Sequence, residues 1–348
     1  MKLQRDVPLS GYTTLKAGGP AENLLELEDD DSLVEAVKQA KAPVLVLGSG
    51  TNVLISDKGL PGTVIINKFG TIEADHGGIL RAASGALWDD VVQASINSGL
   101  YGLEFTSGIP GGTGAAIAGN IAAYGQKVAD VFKEARMFNT DTGQVSTWRN
   151  EDFDFSYRSS SLHDPKNHNL VVLDAVFQLS SSPTKELEYE SAMKVSAEIG
   201  VKPDTLANRR HVIMETRSRT GSILTDISKG PWTAGSFFKN PLVDESQVDA
   251  IIAHDETGIS REKLLRQNAI HGGDKTRVSA AHVMLAAGFK RGQAWGPVRL
   301  HPDHILKIEN TGDGTAAQIH QVVQTIIDTV KEKLDVTLEP EVRIIGEF

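Results

Sequence analysis

The sequence has 348 residues, 40% hydrophobic and 23% charged, with no cysteine and a formal net charge of -10. That length predicts two or three domains, and the acidic balance argues against a nucleic-acid partner, which rewards a concentrated excess of Lys and Arg. The lack of cysteine excludes disulfides, thiolate zinc sites and cysteine nucleophiles. The first residues, MKLQRDVPLSGYTT, contain no apolar run of the kind a secretory signal needs. Residues 108–125 lack charge but are too glycine-rich and too weakly apolar for a membrane span. A soluble, cytoplasmic α/β protein is the expectation, and a local cluster of cations leaves an anionic small molecule open as a ligand.

In chain order, AENLLELE reads as a strand, DSLVEAVKQAK as a helix opened by an Asp/Ser cap, and PVLVLG as a buried strand. TVIIN and ILRAASG are further strands, and LWDDVVQASINSG is an amphipathic helix ending at Gly99. A Thr-Asp-Thr-Gly turn inside residues 132–148 predicts a hairpin, and 170–179 another strand. Residues 180–220 change character into polar helices, expected as a linker or lid insertion. Helices are expected around 245–254 and 275–287, a short strand over 304–310, and a long helix over 316–335. In that helix Ile319, Val322, Val323, Ile326, Ile327, Val330 and Leu334 follow the i, i+3, i+4 spacing. VTLEPEVRIIG closes the chain as a strand interrupted by Pro340.

Two glycine-rich loops stand out. In LGSGTNVLI, Gly48 and Gly50 follow an apolar strand, where backbone N–H groups can approach a phosphate and Ser49, Thr51 and Asn52 can donate as well. A plain connecting turn is the simpler reading of that loop alone. The second, SGIPGGTGAAIAGNIAAYG, carries more glycine than a turn needs, with small alanines between, as suits a large ligand laid against backbone. Neither is a Walker A loop, since no Gly-Lys-Ser/Thr follows. Neither is a dinucleotide fingerprint, since Val53 stands at the third glycine position and Pro110 interrupts the second loop. The run His301-Pro302-Asp303-His304 offers two imidazoles, but no carboxylate cluster completes a site, so no metal is expected.

The ordered set GSGTNVLI, GIPGGTGAAIAGNIAAYG, FSYRSSSL, AGSFFKNP and LEPEVRIIG resembles the UDP-N-acetylenolpyruvoylglucosamine reductase (MurB) family over nearly the whole chain. The resemblance implies an α+β architecture. It comprises a PCMH/vanillyl-alcohol-oxidase-like FAD-binding fold of two α/β subdomains (1–68 and 69–181), a lid or linker insertion (182–214) and a C-terminal α+β substrate-binding domain (215–335). A last strand, 336–348, returns Glu341 to the active site. It also implies noncovalent FAD, NADPH as co-substrate, a UDP-sugar enolpyruvyl ether as substrate and a monomer acting in peptidoglycan precursor synthesis. The family's catalytic positions fall on Arg158, Ser236 and Glu341. Its cofactor contacts fall on Gly48, Ser49, Gly50, Thr51, Asn52, Ser107, Gly108, Ile109, Pro110, Gly111, Gly119, Asn120 and Tyr124. Substrate contacts are implied for Tyr189 on the lid and for Lys239, Asn240 and His304, with the diphosphate partner open between Arg219 and Lys239. Ala122 and His282 depart from the family pattern, which has glycine and tryptophan there.

The reaction implied reduces a vinyl ether that carries a carboxylate. Hydride added at the β-carbon leaves negative charge on the α-carbon, spread into the carboxylate, and that charge must be stabilised where it develops. The guanidinium fork of Arg158 matches a carboxylate. Glu341 suits the site best as a neutral carboxyl donating a hydrogen bond, because burial raises a carboxyl pKa. Ser236 is the expected proton donor to the α-carbon, with Gly235 and the two phenylalanines fixing its position. Without the family pattern, Arg158 reads as a surface residue and Glu341 as an edge-strand carboxylate. Two rival functions stay open: a flavin oxidase of the same fold acting on a sugar or hydroxy acid, and a non-catalytic nucleotide-sensing relative. Many such oxidases tether flavin through a histidine near a glycine loop, and neither loop here holds one; the nearest, His76, sits in another turn.

Overall fold

The computed structural model describes the chain except residues 28–31, 69, 76, 224–229 and 272–275. The expected cap at Asp31, the turn residue His76 and the start of the 275–287 helix therefore lie outside the described residues. The chain forms two compact units: Met1–Val7, Ala21–Gly50 and Pro61–Thr225 make the first, and Pro8–Pro20, Thr51–Leu60 and Asp226–Phe348 the second. The boundaries expected at 68, 181, 214 and 335 are not where these units part. The polar helices after 182 stay with the first unit, and 336–348 stays with the second.

The first unit holds two sheets. One has the order Lys2–Pro8, Pro20–Glu26, Leu60–Ile66, Val44–Leu47, with the last pair parallel. Its strands are apolar where they meet helix Ser32–Gln39: Ala36 and Val37 pack with Leu25, Leu27, Ile65 and Phe138. The other is antiparallel, in the order Val145–Arg149, Phe132–Asn139, Leu170–Gln178, Ile79–Ala83, Ile72–Ala74. Its expected hairpin is closed by Asn139, whose side-chain oxygen accepts the N–H groups of Asp141 and Thr142. Helix Trp88–Asn97 lays Trp88, Val91 and Val92 on this sheet.

Residues 180–220 form helices Glu190–Ile199 and Leu206–Arg219. Arg209 explains why a polar segment stays with the first unit. Its guanidinium is 1% exposed and donates to Glu104 at 3.1 Å, to Lys185 O at 2.7 Å, to Glu186 at 3.1 Å and to Pro203 O at 3.1 Å. Removing either partner of the buried Arg209–Glu104 pair would strand a charge, at a cost of about 3–5 kcal/mol.

The second unit has a four-stranded sheet in the order Trp232–Ser236, Lys307–Asn310, Val298–Leu300, Ala294–Trp295. Helix Ala316–Leu334 buries Ile319, Val322, Val323, Ile326, Val330 and Leu334, as its spacing predicts. Its first N–H groups, on Ala316 and Ala317, donate to the carboxylate of Asp57. Arg343–Ile345 pairs in parallel with Val53–Ile55, a strand unexpected inside the first glycine motif. Helix Arg261–His271 was also unexpected. The helix expected over 275–287 spans only Ala280–Ala286, because the backbone of Thr276 and Val278 pairs with 241–243 instead. The strand expected from 304 begins at Lys307, since Lys307 N–H closes a turn on His304 O.

Candidate active site

In the first unit the two glycine loops approach backbone to backbone. A Cβ placed on Gly48 would stand 3.7 Å from Asn67 O and 3.9 Å from Gly112 N, and one on Gly112 would stand 3.1 Å from Ser84 O. Asn67 and Ser84 form the floor, joined by a 3.0 Å side-chain hydrogen bond. Among the described residues, the N–H groups of Gly48, Ser49, Gly111 and Gly112 have no acceptor. Unfilled backbone donors on two converging loops suit an anionic pyrophosphate.

Not every expected donor is available. Ser107 is buried and gives its hydroxyl to Glu104 O at 2.6 Å. Gly108, at φ +73°, gives its N–H to Asp89 at 2.6 Å. Arg210 grips the same carboxylate with both terminal nitrogens at 2.7 Å. Burial opposes charge on Asp89, yet the Arg210 fork and the Gly108 N–H hold its carboxyl below the usual range. Ile109 closes a turn on Thr106, Pro110 follows it, and Gly119 ends helix Thr113–Ala118 with its N–H on Ala115 O.

Arg158 sits at the tip of a tight turn. Ser156 and Ser159 exchange backbone hydrogen bonds of 3.0 and 3.3 Å, with Tyr157 and Arg158 between them. Arg158 has φ +54°, which for a non-glycine residue costs about 1 kcal/mol or more. Strain of that kind persists where surrounding contacts impose it, and it concentrates at functional sites.

Around this turn the first unit gathers aromatic and cationic groups. Tyr124 and Tyr189 meet edge to face at 5.2 Å between centroids. Burial pushes the pKa of each tyrosine up; at Tyr124 the Arg217 guanidinium opposes this and Tyr189 adds to it, while at Tyr189 the neighbour Tyr157 adds to it and Arg158 opposes. Tyr189 stands at the N-terminus of helix Glu190–Ile199. Arg217 completes the set and was not anticipated. It hydrogen-bonds Tyr124 and donates to Ser222 O at 2.9 Å, while its Nε has no acceptor among the described residues. Burial, with Arg158 adding repulsion, lowers its pKa. A half-buried guanidinium with a second one nearby favours an anion. Spacing along the helix puts Arg210, Met214 and Arg217 on one face. Arg219, by contrast, is exposed and shared by Glu215 and Glu198.

In the second unit Ser236 ends its strand opposite Lys307, beyond a register shift at which Gly235 has φ +78°. Phe237 and Phe238 are buried in the core, so the strand is anchored on the two residues next to the hydroxyl. Phe237 N–H donates to Leu306 O, and Glu341 N–H donates to Phe237 O, both at 2.8 Å. Ser236 and Glu341, 105 positions apart in sequence, are thereby fixed on adjacent segments. Asn52 adds a hydrogen bond from its side chain to Glu341 O at 3.1 Å. Thr51 precedes it at the edge of this unit. Lys239 N–H bonds Glu339 O, and Asn240 accepts the N–H of Ala280 at 3.0 Å while Arg277 reaches Asn240 O. A cavity of about 440 Å³ bounded by Trp232, Arg299, His301 and Glu309 lies at the other end of this strand, away from Ser236.

His304 lies in the loop before Lys307. Burial, helped by Lys307, His301 and Arg291, pulls its pKa down to about 4. The unfolded chain therefore binds a proton that the folded chain refuses between about pH 6.5 and 4, and stability falls as pH falls through that window, by at most about 3 kcal/mol. His304→Gln is expected to flatten the fall in thermal midpoint between pH 6.5 and 4; an unchanged profile would contradict this. Burial likewise lowers the pKa of His282, half-buried on helix Ala280–Ala286.

Comparison with known proteins shows the family. Residues 21–148 match an FAD binding domain, and 226–345 match the domain described as "UDP-N-acetylenolpyruvoylglucosamine reductase, C-terminal domain". The reductase of Saccharopolyspora erythraea is 34% identical over 96% of this chain and 93% of its own length. The chain belongs to the UDP-N-acetylenolpyruvoylglucosamine reductase family. The Nocardia farcinica reductase is also 34% identical, over 98% of this chain and 89% of its own. The crystal structure of the Thermus caldophilus reductase, 24% identical, covers 99% of this chain and all of that one with a TM-score of 0.64, and shows the same fold. The chain is thus an FAD-containing oxidoreductase of this family. Among the described residues no helix is long and apolar enough to cross a membrane, and no His, Asp or Glu cluster could hold a metal.

Proposed function

We propose that this protein reduces UDP-N-acetylglucosamine enolpyruvate to UDP-N-acetylmuramate, a peptidoglycan precursor, with NADPH as reductant and FAD held noncovalently. It acts in this reading as a cytoplasmic monomer. The observation carrying the proposal is the full-length relationship to reductases of that name together with Arg158, Ser236 and Glu341 at the family's catalytic positions. The converging donors of Gly48, Ser49, Gly111 and Gly112 suit the pyrophosphate of FAD. Bound FAD supplies hydride transfer, from NADPH to the β-carbon of the enolpyruvyl group.

The chain's own side chains handle the rest. Ser236 gives its hydroxyl proton to the α-carbon, completing reduction of the double bond. Arg158 holds the carboxylate into which charge spreads, and a backbone already fixed in a tight turn has little to reorganise during the reaction. Glu341 hydrogen-bonds the same carboxylate. Tyr189, on a lid formed by its helix pair, together with Lys239, Asn240 and His304, receives the sugar nucleotide. Arg217 and Lys239 suit the diphosphate better than Arg219, whose guanidinium is held by two glutamates.

The deciding experiment follows flavin colour. The purified protein is expected to be yellow, to release FAD on denaturation, to bleach with NADPH, and to regain its colour with one equivalent of the enolpyruvyl UDP-sugar. A protein that NADPH leaves yellow and a free sugar bleaches would be an oxidase instead, and a colourless one would be a sensor.

A further inference from the structure

We propose that Asn120 is the positioning residue for Arg158, acting from the end of the second glycine loop rather than as a cofactor ligand. Both ends of its amide are already committed within the first unit. Nδ2 donates to Ser156 O at 2.9 Å, and Oδ1 accepts the N–H of Ala129 at 3.1 Å. Ser156 is the residue whose backbone closes the turn carrying Arg158. A second tie runs parallel to the first: Ser160, on the far side of the turn, donates its hydroxyl to Ala118 O at 2.8 Å. The strained Arg158 turn is therefore fastened on both flanks to the segment Ala118–Asn120. Both fastening side chains are only 5% exposed.

Residue type fits this role closely. Asn120 itself has φ +41°, a conformation that glycine, asparagine and aspartate tolerate best. Of these three, only asparagine also brings a donor and an acceptor. Aspartate keeps the acceptor for Ala129 but sets an oxygen against Ser156 O, so Asn120→Asp removes one contact and leaves size and backbone preference in place. With the tie broken, the turn is free to relax and the guanidinium drifts from its working position. Misplacement by about 1 Å costs on the order of a hundredfold in rate, and loss of an orienting partner about 10- to 100-fold.

The inference rests on reading Arg158 as the ligand of the substrate carboxylate, and its test separates the two. Rapid mixing is used on FAD-loaded protein, with NADPH for flavin reduction and the enolpyruvyl UDP-sugar for reoxidation. Asn120→Asp is expected to retain FAD and bleach at the parental rate, while reoxidation slows about 10- to 100-fold; Ser160→Ala is expected to do the same more weakly. In an Arg158→Met background, adding Asn120→Asp is expected to change reoxidation less than threefold, because its effect passes through the arginine. Full additivity of the two substitutions would overturn the proposal, as would parental reoxidation in Asn120→Asp. Loss of FAD from Asn120→Asp, with Ser160→Ala unaffected, would return Asn120 to the cofactor. Parental reoxidation in Arg158→Met alone would instead refute the role of the arginine and take this inference with it.

Discussion

Ser236→Ala is expected to lower turnover by about 10²- to 10⁴-fold, the range of one positioned proton donor, with the whole loss in reoxidation by the enolpyruvyl sugar. Bleaching by NADPH requires no proton from Ser236 and should run at the parental rate. The structure argues that the variant folds. The residues anchoring this segment are Phe237 and Phe238, both in the core, and the backbone bonds to Leu306 and Glu341 are made by Phe237. A lost hydroxyl disturbs none of these. Reoxidation within threefold of the parent would remove Ser236 as proton donor.

Arg158→Met is expected to slow reoxidation by about 10²- to 10³-fold, the cost of losing one donor aimed at developing negative charge. Arg158→Lys should recover little, since an ammonium lacks the planar fork that meets both oxygens of a carboxylate. The strained turn supplies an independent readout. Arg158→Gly removes the side chain and also the penalty of φ +54°, so its thermal midpoint is expected not to fall while reoxidation collapses. A large loss of stability in that variant would mark the arginine as structural, and normal turnover would exclude it from the chemistry.

Periodic and terminal signals in the sequence were the ones that carried through to the fold. The apolar stripe from Ile319 to Leu334 became a core helix, and Asn139 with Gly143 closed the expected hairpin. Short pieces whose partners lie far away in sequence were not readable. Val53–Ile55 is a strand only because Arg343–Ile345 pairs with it, and residues 276–278 are extended only because 241–243 are beside them. The site shows the same division. The glycine loops and the proposed roles of the serine, arginine and glutamate come from their motifs alone. Arg217 was hidden, because an arginine on a polar helix looks solvated until its neighbours, Tyr124 and Arg158, are known. Asn120 was noticed for its place in a motif, but the sequence could not reveal that its amide faces Ser156 and Ala129.

The second unit's core draws on Leu15, Ala17 and Leu54 besides the residues after 226, and its longest helix is capped by Asp57. Its earliest contributors leave the ribosome well before the last residues of the chain are made. These early segments must wait, incompletely packed, until the residues after 226 that complete their core have been made. Vectorial synthesis can therefore complete the first unit at Thr225 while the second still lacks most of its core, and a truncation inside that core loses more than a tail: it leaves Leu15, Ala17 and Leu54 without the neighbours they were made to meet.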